Sequence, residues 1–440
     1  MNGAGPAGAQ GTRTRPAARR ADPAVLLVVV LALALVLRLA WVLLVEPPVS
    51  IVNDTGQYDA FAQNIAQGRG YVTLNGHPTA FWPVGYPAIL AAVYLVFGHS
   101  VLAGRLLNVA LGAATVGLLY LFVRRWWGDR PAALAASAVL ALMPGPITFA
   151  SLLLSETLFT ALLVGSLTVL AWRGPGGQVG LGQAVLFGVV AAAAAYVRGQ
   201  ALLLPLVAVG WLVLAGRPWR QSLRFGGLAL AVVLLLTLPW AVRNTVRLGE
   251  PTFLSTNVGI DLWVGHHEGA SGGLDFLDQV AYAARFDHLP PVEAELAINR
   301  QGTRDALAYA LSHPLDEARL AVLKFVRLYG DDADGLRWNE YYGEHPVFHG
   351  YWRWVAYGTV DLFYWLTGAL ALGGLIVGLR RRFRQFAPLA LLFVYWTAVH
   401  IAFFAEPRFH VPVLPLFAAL AAWAAVTAVR AKRAKRAAGA

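Results

Sequence analysis

The chain has 440 residues, 58% of them hydrophobic and only 13% charged, with Lys and Arg outnumbering Asp and Glu by 35 to 24. Its apolar residues fall in long runs, which excludes a soluble globular class and indicates an integral membrane protein. The sequence contains no cysteine, which excludes disulfides, thiolate metal sites and a cysteine nucleophile; the basic residues cluster between apolar runs, where the positive-inside rule accounts for them without nucleic acid.

In chain order, a basic tail over 1–23 carries Arg13, Arg15, Arg19 and Arg20 and leads into an apolar run over 24–45. The run is longer than the core of a secretory signal, so it reads as a retained span with its N-terminus in the cytoplasm. The loop that follows, 46–100, is polar and aromatic, with Asp54, Asp59, Tyr58, Phe61, Tyr71, Phe81, Trp82 and Tyr86. Within it Tyr58, Phe61, Ala62 and Ile65 recur at helical spacing and Gly68-Arg69-Gly70 stops the pattern, which predicts a short amphipathic helix at the membrane face. Asp54-Thr55-Gly56-Gln57 fits a capping box with Asp54 as the cap. The same carboxylate, at the edge of an apolar span, also suits a general base, and both readings stand at this point. Residues 85–98 are apolar but too short to cross, and predict a second interfacial or re-entrant helix.

Spans are expected at 101–123, 131–147, 155–172, 179–196, 201–215 and 225–240, completing an N-terminal bundle over 24–241. Arg124-Arg125-Trp126-Trp127 anchors one end in the cytoplasm. The polar region 242–355 is too hydrophilic to cross and falls outside by parity. It predicts helices over 292–311 and 314–329, the second with a stripe of Leu315, Ala318, Val322, Phe325 and Tyr329 opposite Asp316, Lys324 and Arg327, lying on the membrane or the bundle. Spans at 357–379, 386–404 and 409–429 make a C-terminal unit over 356–430, and a second basic tail occupies 431–440. The expectation is an all-α polytopic membrane protein with about ten transmembrane helices, interfacial helices in the first external loop, one larger external loop and both termini cytoplasmic.

This topology puts the first loop, Glu156, Arg198, Arg243, Arg247 and Glu406-Pro407-Arg408 at one external surface. Arginine there runs against the sorting bias and calls for a partner anion or a headgroup; a lipid-linked phosphate is such an anion. Plainer accounts exist for each residue taken singly. Glu156 suits a helix N-terminus, and any one arginine suits headgroup anchoring. His266-His267 lacks a third ligand at a recognisable spacing, so no metal is assigned. Arg38 lies inside the first span and needs a partner that the sequence does not name.

Several short patterns resemble the polytopic transferases of glycosyltransferase superfamily C, close to protein O-mannosyltransferases and lipid A aminoarabinose transferases. They are Asp54 with Tyr58, Gly68-Arg69-Gly70-Tyr71, Pro83-Val84-Gly85-Tyr86-Pro87, Arg105-Leu106-Leu107-Asn108, Ser155-Glu156, Arg198-Gly199, Pro239-Trp240 with Arg243-Asn244, and Glu406-Pro407-Arg408-Phe409 with Pro412 and Pro415. None is specific alone; the match lies in their order and placement. The resemblance implies transfer of a hexosyl or pentosyl group from a polyprenyl-phosphate donor to an envelope acceptor on the external face of the cell membrane, with inversion at the anomeric carbon. By position Asp54 becomes the base. Arg198, Arg243 and Arg408 become the phosphate-holding cations, and Tyr58, Trp82, Tyr86, Glu156, Glu406 and His410 line the substrates. Many relatives carry Asp-Glu where this chain has Asp54-Thr55, so no second acidic function carries over there. No nucleotide or redox cofactor is called for, no metal is assigned, and a divalent cation is left open. A flippase or transporter for a lipid-linked glycan and a non-enzymatic envelope assembly protein are the rival classes. Charged residues deep in several spans and internal symmetry would favour the transporter.

Overall fold

In lipid a backbone must close its hydrogen bonds within itself, so long runs of Leu, Val and Ala can cross only as helices. In the computed structural model, which describes residues 22–174, 177–341 and 344–438, that is what they form. The first half contains α1 (Pro23–Leu44), α2 (Asp54–Ala66), α3 (Gly85–Phe97), α4 (Val101–Trp126), α5 (Arg130–Leu142), α6 (Pro144–Thr148), α7 (Glu156–Leu170), α8 (Leu181–Val197), α9 (Leu204–Leu214) and α10 (Trp219–Leu248). The polar region contains α11 (Val258–Gly265), α12 (Phe276–Ala284), α13 (Pro291–Ser312), α14 (Pro314–Tyr329) and α15 (Asp334–Asn339), and α16 (Gly350–Arg381), α17 (Phe383–Ala402) and α18 (Leu414–Ala438) follow. The basic residues Arg13, Arg15, Arg19 and Arg20 lie outside the described residues, whereas the C-terminal basic stretch continues α18 as helix through Ala438.

Among the described residues, six helices are long and apolar enough to cross a membrane: α1, α4, α10, α16, α17, and α18 together with the 3-10 turn that precedes it. A seventh is counted if α5 and the segment Pro144–Ser151, bent by 56°, form one span. The expectation of about ten is therefore not met by length. The other three expected spans form apolar helices of 17 residues or fewer. α7 shows how far they fall short of the length. It has 15 residues, about 22 Å at 1.5 Å per residue, against a hydrocarbon core of about 30 Å. Nearly all its side chains are buried, so its apolar residues pack against neighbouring helices.

The bend between α5 and α6 identifies the partner of Arg38. Pro144 has no N–H for the carbonyl of Leu140, which is left open at the break. The Arg38 guanidinium, only 1% exposed, donates from Nη2 to Leu140 O at 3.4 Å and from Nη1 to Ala141 O at 3.4 Å and Ala34 O at 3.1 Å. Its charge sits at the negative end of α5.

Both helices predicted in the first loop are present. α2 stops at a turn where Gly68 and Gly70 take φ of 76° and 82°, a region open to glycine. Asn64 Nδ2 then ties the returning chain by donating to Val72 O at 2.9 Å. Both α13 and α14 form near their expected bounds, and most of the apolar stripe of α14 faces outward, leaving the face with Lys324 turned in. Leu315 and Val322 are exposed while Leu320, Lys324 and Leu328 are buried. Lys324 is drawn inward because polar partners wait there: Nζ lies 3.0 Å from His266 Nε2 and donates to Ile401 O at 3.0 Å.

Candidate active site

Asp54 is the first residue of α2, and the cap is its neighbour. Asn53 is extended at φ −120° and ψ 172°, and its side chain accepts from Thr55 N at 3.1 Å and from the Thr55 hydroxyl at 2.6 Å. Gln57 does not complete a capping box; its amide donates to Ile51 O at 2.7 Å. The capping reading of Asp54 is thus corrected by one residue, and the Asp54 carboxylate points elsewhere. It accepts from Arg408 Nη1 at 2.7 Å.

Arg408 comes from the far end of the chain, on the 3-10 turn Pro407–Val413, and joins two elements. The same Nη1 lies 3.8 Å from Glu156 Oε1. Arg198, at the C-terminal end of α8, approaches Glu156 Oε1 with Nη2 at 2.6 Å and donates from Nε to Ser155 Oγ at 3.2 Å. The result is an alternating row of Asp54, Arg408, Glu156 and Arg198, with formal charges that cancel. Side-chain exposure runs from 1% at Glu156, through 10% at Arg408 and 13% at Arg198, to 23% at Asp54, so the row is anchored inside and opens at Asp54. In a low-dielectric setting an unpaired charge of this kind is costly, which is why the two carboxylates and two guanidiniums sit together.

Aromatic rings wall the row. The Phe409 ring lies 5.3 Å from the Arg408 guanidinium carbon and 5.4 Å from that of Arg198, and Trp338 lies 4.9 Å from Arg408. Tyr58, one turn into α2, packs edge-on against Tyr86 at 5.5 Å and Trp82 at 6.5 Å. Burial, then the neighbouring Asp54, raises its hydroxyl pKa, so Tyr58 stays a neutral phenol. Tyr86 is nearly sealed and pairs through its hydroxyl with Asn108 at 3.4 Å.

Two further acids face this row. Asp261, on α11, accepts from Asn257 Nδ2 at 2.7 Å; burial and then Asp54 push its pKa up to about 7 against the pull of Arg408. Burial raises Asp334, at the start of α15, to about 6, with Arg408 opposing. Neither stood out in the sequence, because each sits in a short helix of the polar region with no pattern tying it to Asp54.

Three expected site residues are engaged elsewhere. Arg243 donates to Thr79 O at 2.7 Å, Tyr71 O at 2.6 Å and Asn244 Oδ1 at 3.0 Å, and stacks over Trp240 at 4.8 Å. It holds the first loop against α10 instead of joining the row. Glu406 accepts from Leu274 N at 2.7 Å and lies 3.6 Å from Arg327. His410 is fully buried, with Nδ1 donating to Leu328 O at 2.7 Å and Nε2 3.0 Å from Asp332 Oδ1. Among the described residues no group of three or more His, Cys, Asp or Glu could hold a metal ion.

Residues 81–242 match the sequence profile of the dolichyl-phosphate-mannose-protein mannosyltransferase family. Among curated proteins, the chain is 31% identical over 169 residues to an undecaprenyl phosphate-alpha-4-amino-4-deoxy-L-arabinose arabinosyl transferase of Enterobacter sp., covering 36% of this chain and 29% of that protein. It is 32% identical over 204 residues to the protein of that name from Pseudomonas paraeruginosa, covering 44% and 37%. The chain thus matches only about a third of the length of these relatives. Among solved structures, the archaeal oligosaccharyltransferase AglB from Archaeoglobus fulgidus, in complex with an inhibitory peptide and a dolichol-phosphate, superposes with a TM-score of 0.53 at 16% identity, over 94% of this chain and 51% of that one. At that identity the likeness is one of fold.

Proposed function

We propose that this chain, a membrane protein of the glycosyltransferase superfamily C type akin to the protein mannosyltransferases and arabinosyl transferases, moves a sugar from a polyprenyl-phosphate donor to an envelope hydroxyl on the external face. The observation that carries the reading is the junction of Asp54 and Arg408 at 2.7 Å. It puts a carboxylate released from capping duty beside a guanidinium at the open end of the charged row.

In this reading Asp54 takes the proton of the acceptor hydroxyl as its oxygen attacks the anomeric carbon. The bond from that carbon to the phosphate oxygen breaks on the opposite face, and the sugar is inverted. The lipid phosphate leaves with one more negative charge than it had in the donor. Arg408 and Arg198 are the cations close enough to meet it, and because the charge grows during the step they favour the transition state over the bound donor. Glu156 keeps the two guanidiniums in place before the donor arrives. Asp261 and Asp334 present hydrogen-bonding groups on the acceptor side, and Trp82 faces the sugar, backed by Tyr58 and the nearly sealed Tyr86. The chemistry requires no nucleotide or redox group.

A strain lacking the gene, compared with its parent for lipid-linked sugars and envelope glycans, tests the reading. Accumulated polyprenyl-phosphate sugar together with a missing glycan substituent is expected. Unchanged donor and glycans would contradict it.

A further inference from the structure

Arg408 reaches Asp54 at the end of a strap, residues 403–408, that leaves α17 at Ala402. Nothing in the strap itself is helical until the turn at Pro407, so its position has to be fixed from outside. The contacts that do so come from one place, α14 and the loop after α11. Lys324 Nζ donates to Ile401 O at 3.0 Å, next to the point where the strap leaves the helix. Gly272 O accepts from Ala405 N at 2.9 Å, and Leu274 N donates to Glu406 at 2.7 Å. Gly265 lies so close to the carbonyl of Phe403 that a Cβ has no room.

At the centre of these contacts is a trio made of buried His266 and Lys324 and half-buried Glu317. Glu317 Oε2 is 2.8 Å from His266 Nδ1, which therefore carries the proton and donates, and His266 Nε2 is left to accept from Lys324 Nζ at 3.0 Å. Lys324 is 1% exposed. Burial brings its pKa down to about 8. A buried ammonium costs free energy unless polar partners meet it, and here the partners are the Ile401 carbonyl near the end of α17 and the His266 ring.

We infer that Lys324, with His266 oriented by Glu317, is a positioning residue for Arg408, holding the strap so that the guanidinium meets Asp54. The inference rests on the role given to Arg408 above. It assigns to the polar region between α10 and α16 a share in the transfer step that the row of site residues does not reveal. Because catalysis depends on reacting groups being placed to within about 1 Å, loosening the strap should lower turnover while leaving the fold intact.

The test uses the full-length protein in detergent, a synthetic short-chain polyprenyl-phosphate sugar, and the variants Lys324→Met, Glu317→Gln and Arg408→Gln. Lys324→Met keeps the length of the side chain, and Glu317→Gln is a milder change should the first fail to fold. Both are expected to speed amide hydrogen exchange at Ala405 with α4 and α10 unaffected. They should also lower kcat roughly 10- to 100-fold with the acceptor KM nearly unchanged. Wild-type exchange at Ala405 in either folded variant would overturn the inference. So would faster exchange with undiminished kcat, provided Arg408→Gln is inactive; an active Arg408→Gln would instead remove the reading on which the inference stands.

Discussion

At the scale of single residues, the one-position shift of the α2 cap decides how Asp54 is read. Asn53 and Asp54 are both good capping residues, and the sequence offers no means of choosing between them. The choice is made by Ser50, whose carbonyl accepts from Asn53 N at 3.2 Å and turns the chain there. Arg198 and Arg408 could be singled out as charges out of place, whereas Arg243 looked the same and turned out to tie down loop carbonyls. Type and topological side do not reveal which carbonyls lie within reach. Asp261 and Asp334 give this scale a pH test. Their ordinary value is 3.8, and the folded protein raises them to about 7 and about 6. Each raised acid keeps its proton in the folded state after the unfolded chain has lost it, so its contribution to stability falls as pH climbs from about 4 to its folded value and is level above. Asp261→Asn should therefore gain stability over the wild type progressively between about pH 4 and 7, as read by thermal unfolding in matched buffers. A constant difference across that range would contradict the raised value.

At the scale of elements, helix existence was legible and helix role was not. The bounds of α13 and α14 follow from periodicity, and the break between them falls at His313-Pro314. The facing of α14 was not legible, because an apolar stripe suits the membrane or the bundle alike; Lys324 finds buried acceptors, and Leu315 and Val322 stay outside. In a membrane protein the outer surface can be apolar too, so amphipathicity loses its sign. The span expected over 131–147 runs through Pro144-Gly145-Pro146, where the structure bends, and the stabilisation of that bend by Arg38 needs the third dimension. Arg38→Met should leave the Leu140 carbonyl without that donor, at a cost of about 1–3 kcal/mol for a buried group left open. Unfolding of purified protein measures it, and an unchanged midpoint would show that the carbonyl has another partner.

At the scale of the whole molecule, the site is assembled from α2, the start of α7, the end of α8 and the turn before α18, pieces separated by as many as 354 positions. Order along the chain could suggest the set, and only folding joins it. The proposed orientation predicts that reporters fused after Arg125, Arg220 and Arg382 read cytoplasmic and those after Gly76 and Gly273 external; an external reading after Arg220 would break it. The most direct measurement of the central claim is turnover of Asp54→Asn with a polyprenyl-phosphate sugar, alongside its donor affinity and melting point. Asn53→Ala serves as the control that removes the cap. Because the cap belongs to Asn53, the control should lose about 1 kcal/mol of stability and retain activity. Asp54→Asn should keep its fold and its donor affinity, yet lose roughly 10²-fold or more of its turnover for want of a base. Full turnover in Asp54→Asn would contradict the account.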